Sequence, residues 1–272
     1  MTLKLIAVDL DGTFLRDDKR FNERLFAEVV DKMRAKDVRF VVATGNNPVR
    51  VANFFKNFPN DYDLIGNNGA QIVIDQRPLP AATFSNDIIQ QVDEIVLANE
   101  SPTNGVYRGL IYTGMAQSFM PARHADAKQS FAELKPHFPA LTLYDDVTNI
   151  DDSANIVQAS VHWTNGDEAF MALAKNAFGE HAHVTTSGYG AVDIVPTGVN
   201  KAAGLATFAN HFDIAPSEMA AFGDGFNDLE MLEYVGLPFA MPNGEPELYQ
   251  RFNHALDTNE NDGVLRTILS LL

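Results

Sequence analysis

Directly after the apolar run Leu5-Ile6-Ala7-Val8 the chain reads Asp9-Leu10-Asp11-Gly12-Thr13. Side chains alternate along an extended segment, so Asp9 and Asp11 are expected to point the same way. Two carboxylates about 4 Å apart repel by roughly 4 kcal/mol at an effective dielectric of about 20, so the pair needs a cation, a shared proton or open solvent. A second acidic group, Gly223-Asp224-Gly225-Phe226-Asn227-Asp228, also follows an apolar run, Met219-Ala220-Ala221-Phe222. Oxygen ligands from Asp9, Asp11 and Asp224 could converge on one hard cation. Mg²⁺ suits such a set best, because it takes few carboxylates and fills its octahedron with water and phosphate oxygens. No His stands near these carboxylates in sequence, which counts against zinc. The third element is Lys201 in Gly198-Val199-Asn200-Lys201, at the expected start of a helix. A cation there opposes the helix dipole, and an anionic ligand would supply the reason for it.

The elements that must position these residues read as a parallel α/β sheet. Asn22 begins a helical pattern with Leu25, Phe26, Val29, Val30 and Met33, and Phe21 is placed as a staple. Val38 to Ala43 reads as a second buried strand, ending in Thr44-Gly45-Asn46-Asn47-Pro48, where Asn47 can cap and Pro48 can start a helix. Ligands bind at the carboxyl ends of such strands, where Asp9 and Thr44 both fall. Tyr62 to Ile65 is a third strand, and Gly66-Asn67-Asn68-Gly69 a turn into a strand from Ala70 to Ile74.

From about residue 84 to 187 strands and helices mix less regularly, which suggests an inserted α+β domain with an open sheet. Helices are expected at Asp87 to Ala98, Arg123 to Leu134 and Asp167 to Phe178, with strands at Val106 to Tyr112, Ile156 to Trp163 and His183 to Thr186. The strand Ala191 to Val195 is read as the return to the first domain. A helix from Lys201 to Phe212, strands at Met219 and Leu237, and helices near Asp228 and from Gly263 complete it. The expected organisation is therefore a core at 1–83 and 188–272, with an insertion at 84–187.

A chain of 272 residues with 46% hydrophobic content can bury one large core or two moderate ones. Its formal charge of −16 repels nucleic acid and anionic membrane surfaces, so neither is expected as a partner. There are no cysteines, which excludes disulfides and thiolate metal sites. Met1-Thr2-Leu3-Lys4 leads straight into the first strand without the features of a secretory signal, and no apolar run approaches bilayer length. A cytoplasmic protein, monomeric or weakly self-associating, is the expectation.

The motifs, in their order, resemble the haloacid dehalogenase superfamily of phosphatases. The resemblance is to the Cof-type group, with a C2-type (IIB) cap inserted between the second and third motifs. Asp9-Leu10-Asp11-Gly12-Thr13 matches the first motif, Thr44-Gly45 the second, Lys201 the third, and Gly223-Asp224-Gly225-Phe226-Asn227-Asp228 the fourth. Gly66-Asn67-Asn68-Gly69-Ala70 and Val192-Asp193-Ile194-Val195-Pro196 support it, and it spans the whole chain. The resemblance implies a Rossmann-like parallel sheet core and a Mg²⁺-dependent hydrolase of small-molecule phosphate esters. Asp9 would be the nucleophile forming an aspartyl-phosphate, and Asp11 the general acid and base. Mg²⁺ would be held by the Asp9 and Asp224 carboxylates and the Asp11 carbonyl, with Asp228 orienting a water or Lys201. Thr44, the Gly45 region, Lys201, Asn227 and the Leu10 and Gly12 amides would hold the phosphoryl oxygens. The cap would close over the site and select the leaving group. One departure is Asn46, where many relatives carry Arg.

Each motif alone has an ordinary reading. Asp-x-Asp-Gly-Thr can be a strand end with an Asx turn, Lys201 a solvated surface residue, Asn227-Asp228 a helix cap. Their joint order carries the inference. His181-Ala182-His183 reads as surface histidines. Trp163 with His162 ends an apolar strand and reads first as packing against the cap helices, with stacking on a sugar or base as the alternative, and Tyr107, Arg108, Tyr112 and Arg123 are specificity candidates for which structural roles stand equally. Two alternatives remain: a phosphomutase of the same superfamily, which would return the phosphate to a sugar, and a noncatalytic sensor of phosphorylated ligands.

Overall fold

In the computed structural model, which describes residues 2–99, 107–114, 117–122, 127–136, 138–163, 167–188 and 191–272, the first apolar run forms β1 (Leu5–Val8). There follow α1 (Glu23–Ala35), β2 (Arg39–Ala43), α2 (Pro48–Phe54), β3 (Asp63–Gly66), β4 (Gln71–Ile74) and β5 (Arg77–Pro78). The middle of the chain supplies α3 (Asn86–Asn99), β6 (Tyr107–Thr113), β7 (Ser118–Pro121), α4 (Ala127–Leu134), β8 (Leu141–Tyr144), β9 (Gln158–Trp163), α5 (Asp167–Phe178), β10 (Ala182–Gly188) and β11 (Ala191–Pro196). Last come α6 (Lys201–Phe212), β12 (Met219–Gly223), α7 (Leu229–Tyr234), β13 (Leu237–Ala240), α8 (Pro246–Arg251), β14 (Asn253–His254) and α9 (Gly263–Leu271). The chain divides into two compact units: Met1–Pro80 with Asn200–Leu272, and Ala81–Val199.

The first unit is built on an eight-stranded sheet in the order β14-β13-β12-β1-β2-β3-β4-β5. Every pairing from β14 to β3 is parallel, and β4 and β5 add an antiparallel edge. Alternation along β1 sends Ile6 and Val8 to one face, among Phe26, Val29, Val42, Phe222 and Ile268. Leu5 and Ala7 go to the other, among Val41, Ile65, Leu205, Phe208 and Met231. A strand covered on both sides must be apolar throughout, which is why Leu5-Ile6-Ala7-Val8 shows no polar alternation. The local signals at α1 and α2 are realised. Asn22 Oδ1 accepts from Leu25 N at 3.1 Å, and the Phe21 and Phe26 rings meet at 5.3 Å as a staple. Asn47 Oδ1 accepts from Arg50 N at 2.9 Å, with Pro48 in the first turn.

The second unit holds a six-stranded sheet in the order β10-β11-β9-β6-β7-β8. Its β9, β10 and β11 pack Ala159, Val161, Val184, Val192 and Ile194 against Ile89, Val92 and Val96 of α3 and Phe170, Ala174 and Phe178 of α5. Here the expected boundary is corrected. The strand read as the return to the core, β11, pairs antiparallel with β10 and β9, so the insertion runs from Ala81 to Val199 rather than over 84–187. Only two residues separate β10 from β11, too few for the crossover that parallel neighbours require, so an antiparallel partner is the available one. β11 is buried at every position, and such a run reads alike in either sheet. Among the described residues no helix is long and apolar enough to cross a membrane.

Candidate active site

β1 lies between β12 and β2, with Val8 opposite Phe222 on one side and Val42 on the other. Parallel pairing in this register carries Asp9, Asp224 and Thr44 to the same carboxyl edge of the sheet. Lys201, the first residue of α6, brings its ammonium to this edge. Lys201 Nζ donates to Asp9 Oδ1 at 2.7 Å and to Asp228 Oδ1 at 2.6 Å, and the lysine is only 1% exposed. The other Asp228 oxygen accepts from the Asp224 and Gly225 amides at 3.0 and 3.1 Å. Both oxygens of Asp228 are thus engaged in holding Lys201 and the loop after β12. Asp224 Oδ1 accepts from Thr13 Oγ1 at 2.7 Å.

Glycine is required where the chain turns beneath Asp224. Gly12 has a φ of 81°, and a Cβ there would lie 2.3 Å from Asp224 Oδ2. Leu15 N donates to Leu10 O at 2.8 Å and Phe14 N to Asp9 O at 3.2 Å, so the chain coils tightly after β1. This coil removes the pleat argument for Asp9 and Asp11 pointing the same way. The strand ends at Val8, alternation no longer applies, and the two carboxylates take separate partners. Asp9 meets Lys201, whereas Asp11 accepts from Lys19 Nζ at 2.6 Å and from Asn46 Nδ2 at 2.7 Å.

Thr44 is buried, and its Oγ1 accepts from the Asn46 amide at 3.1 Å and from Asn46 Nδ2 at 2.9 Å. A hydroxyl with both acceptor positions filled keeps its hydrogen for an outside acceptor such as an anion. Gly45 is partly buried in the same turn. Asn227 makes a long contact, Nδ2 to Asn68 Oδ1 at 3.5 Å. Leu10 is fully buried. The site residues read from sequence therefore fall into a cluster of Asp9, Lys201, Asp224 and Asp228, and a second one of Asp11 and Thr44 joined by Asn46. Thr13, Lys19 and Asn243, which donates from Nδ2 to Gly12 O at 2.7 Å, were not legible as site residues. Thr13 sits inside the first motif, but Lys19 and Asn243 lie in polar stretches with no periodic signal. Arg123 falls outside the described residues, as do the side chains of Tyr107, Arg108, Tyr112, His162 and Trp163.

Two buried carboxylates, Asp9 and Asp228, a partly buried one, Asp224, and one ammonium leave an excess of negative charge. Burial pushes the Asp9 carboxyl well above its usual value, Lys201 draws it back, and Asp228 and Asp224 raise it again. Burial, then Asp228, push Asp224 up to about 7 against the Thr13 hydrogen bond and the pull of Lys201. For Lys201 burial alone would lower the value, but Asp228 and Asp9 outweigh it and hold the ammonium charged. Burial raises Asp11 too, yet the hydrogen bonds from Lys19 and Asn46 win and hold it below the usual range. Carboxylate oxygens of Asp9, Asp224 and Asp228 lie within 4.8 Å of one another. An all-oxygen set with charge in excess fits a hard divalent cation. Because Asp228 is spent on Lys201 and the loop amides, Asp9 and Asp224 are the members with an oxygen to offer.

A sequence profile of the haloacid dehalogenase-like hydrolases matches residues 6–268. A 5-amino-6-(5-phospho-D-ribitylamino)uracil phosphatase of Escherichia coli (strain K12) is 30% identical over 275 residues, covering 100% of this chain and 97% of that protein. An HMP-PP phosphatase of Klebsiella pneumoniae (strain 342) is 28% identical, covering 92% of this chain and 88% of that protein. Among solved structures, a Streptococcus mutans UA159 protein superposes with a TM-score of 0.86 at 24% identity, covering 99% of both chains. A haloacid dehalogenase-like hydrolase from B. subtilis gives 0.82 at 19%, covering 99% of this chain and 100% of that one. At these identities the two structures speak for the fold.

Proposed function

The chain belongs to the haloacid dehalogenase-like hydrolases, and we propose that within this family it is a Mg²⁺-dependent phosphatase of small-metabolite phosphomonoesters acting through an aspartyl-phosphate on Asp9. The observation that carries this reading is the buried Lys201 ammonium between Asp9 and Asp228, with Asp224 alongside at the same sheet edge. Asp9 and Asp224 carboxylates and the Asp11 main-chain carbonyl would hold Mg²⁺, which when bound neutralises their excess charge and that of the phosphoryl group.

A carboxylate oxygen of Asp9 attacks phosphorus in line and the ester P–O bond breaks. Lys19 and Asn46 hold Asp11 ionised in the free site, so Asp11 would take up a proton as the negatively charged phosphate ester binds beside it, and pass that proton to the departing alkoxide. Asp11, now ionised, takes a proton from water as that water attacks the aspartyl-phosphate. Inorganic phosphate leaves and Asp9 is regenerated. Lys201 stays charged throughout and, with the Thr44 hydroxyl, Asn227 and the amides of Leu10, Gly12 and the Gly45 region, binds the phosphoryl oxygens. Asp228 holds the lysine and the Asp224 loop in place. One relative is named for a phosphoribitylaminouracil and the other for HMP-PP, which supports small phosphate esters as the substrate class, either sugar phosphates or cofactor-related phosphates.

Phosphate release across a panel of small phosphate esters, with Mg²⁺ and with EDTA, tests the reading. The expected outcome is metal-dependent release confined to a few esters. Phosphate transferred within a sugar, without net release, would make the protein a mutase. Saturable ligand binding with no turnover would make it a sensor.

A further inference from the structure

Both oxygens of the Asp11 carboxylate are taken by side chains to which the mechanism above gives no role. Lys19 Nζ donates to Oδ1 at 2.6 Å and Asn46 Nδ2 to Oδ2 at 2.7 Å. The Lys19 arm is built for this. Lys19 N donates to Arg16 O and Arg16 N to Arg20 O, both at 2.9 Å, closing a tight turn. Within it Lys19 has a φ of 62°, a left-handed conformation that residues with a Cβ adopt at a cost. Contacts from the end of the chain pin the turn. Arg16 Nη2 donates to Asp262 Oδ1 at 2.7 Å, Asp17 N to Glu260 Oε1 at 2.7 Å, and Asn259 Nδ2 to Leu15 O at 3.0 Å. An unfavourable backbone conformation kept by its surroundings, at the root of a side chain reaching back to Asp11, is a mark of function.

The Asn46 arm comes from the turn after β2. Its backbone N donates to Thr44 Oγ1 at 3.1 Å and its carbonyl accepts from Asn67 N at 3.1 Å, so the residue is fixed from both sides. Its Nδ2 lies within hydrogen-bonding reach of Thr44 Oγ1 as well as Asp11 Oδ2, tying the acid to a phosphoryl-binding hydroxyl. Each carboxyl oxygen retains a second lone pair, so a transferred proton has a place on Asp11 while both arms remain made.

We propose that Lys19 and Asn46 are positioning residues that hold the Asp11 carboxyl for proton transfer to the leaving oxygen. Together they determine how well the site expels a strongly basic leaving group. The inference rests on the phosphatase reading. Attack by Asp9 does not need the clamp, and departure of an alkoxide does.

The test compares two esters that wild-type protein hydrolyses with Mg²⁺: an alkyl phosphate, whose alkoxide needs a proton, and p-nitrophenyl phosphate, whose phenolate leaves with little help. The constant kcat/KM reports the steps up to departure of the leaving group and excludes hydrolysis of the aspartyl-phosphate. In Lys19→Met and, separately, Asn46→Ala, kcat/KM for the alkyl ester is expected to fall at least roughly tenfold further than for the aryl ester. Lys19→Arg, which keeps a charged donor, should recover part of the alkyl rate. Equal losses on both esters, or no loss on either, would overturn the proposal. Lys19 is part-exposed on a surface turn, and the Asn46 variant reads the same clamp independently should the Lys19 variant fold poorly. Failure of the wild type to release phosphate from any ester is a different outcome and removes the phosphatase reading itself.

Discussion

Lys201 shows how one residue can link stability to chemistry. Its ammonium is a sealed counter-charge for Asp9 and Asp228, and taking one partner from a buried ionic set costs more than the whole set is worth. Lys201→Ala is therefore expected to lower unfolding stability by about 3–5 kcal/mol in urea denaturation. The same variant should lose roughly 10²-fold or more in kcat/KM for phosphate release, as charge stabilisation of the phosphoryl group disappears. A stable variant of near wild-type rate would remove Lys201 from both roles. The sequence pointed to this residue because a cation at a helix start needs an explanation, and the explanation is an acidic pair from two other segments. It pointed less well at Asp11. Pleat alternation applied as far as Asp11 runs three residues beyond the true end of β1 at Val8, and Lys19, one of the two partners of Asp11, sits in the run Asp17-Asp18-Lys19-Arg20, which reads as solvated surface.

At the scale of elements, the site depends on how closely α6 approaches the sheet. Gly204, one turn after Lys201, makes that approach possible, since a Cβ there would lie 2.5 Å from Ile65 Cγ2 on β3. Gly204→Ala should gain helix propensity yet lose about 1–3 kcal/mol to overpacking. The first turn of α6 would be pushed away, so turnover should fall along with the midpoint of unfolding. Lost stability with an unchanged rate would show that Lys201 is held by its acids rather than by its helix. Elements with strong local signals are legible in the sequence: α1 with its cap and staple, α2 with Asn47 and Pro48, α5, α6 and the strands that lead into Asp9, Thr44 and Asp224. The short strands β7 and β8 and the helix α8 carry too little pattern to stand out. β11 was legible as a strand and assigned to the wrong sheet, because burial on both faces erases the alternation that would distinguish them.

For the molecule as a whole, the formal charge of −16 and the acidic site act in the same direction. Asp9 and Asp224 have raised values in the folded state, Asp224 up to about 7 from an ordinary 3.8. As pH rises through that window the unfolded chain releases these protons before the folded one does. The folded state then holds more protons, so stability of the metal-free protein falls as pH rises. General repulsion among surface acids has the same sign, and a control must separate the two. Mg²⁺ held as proposed would compete with protons for the carboxylates, so its stabilising effect should be small at about pH 5.5 and large at about pH 8. Thermal midpoints with and without Mg²⁺ at the two pH values measure this directly. Asp224→Asn removes one partly buried acid of the cluster and leaves the rest of the surface charge untouched. It should therefore raise the metal-free midpoint near pH 8 and abolish most of the response to Mg²⁺. A Mg²⁺ gain that is the same at both pH values, or that survives in Asp224→Asn, would place the metal's effect outside the cluster at the carboxyl ends of β1 and β12.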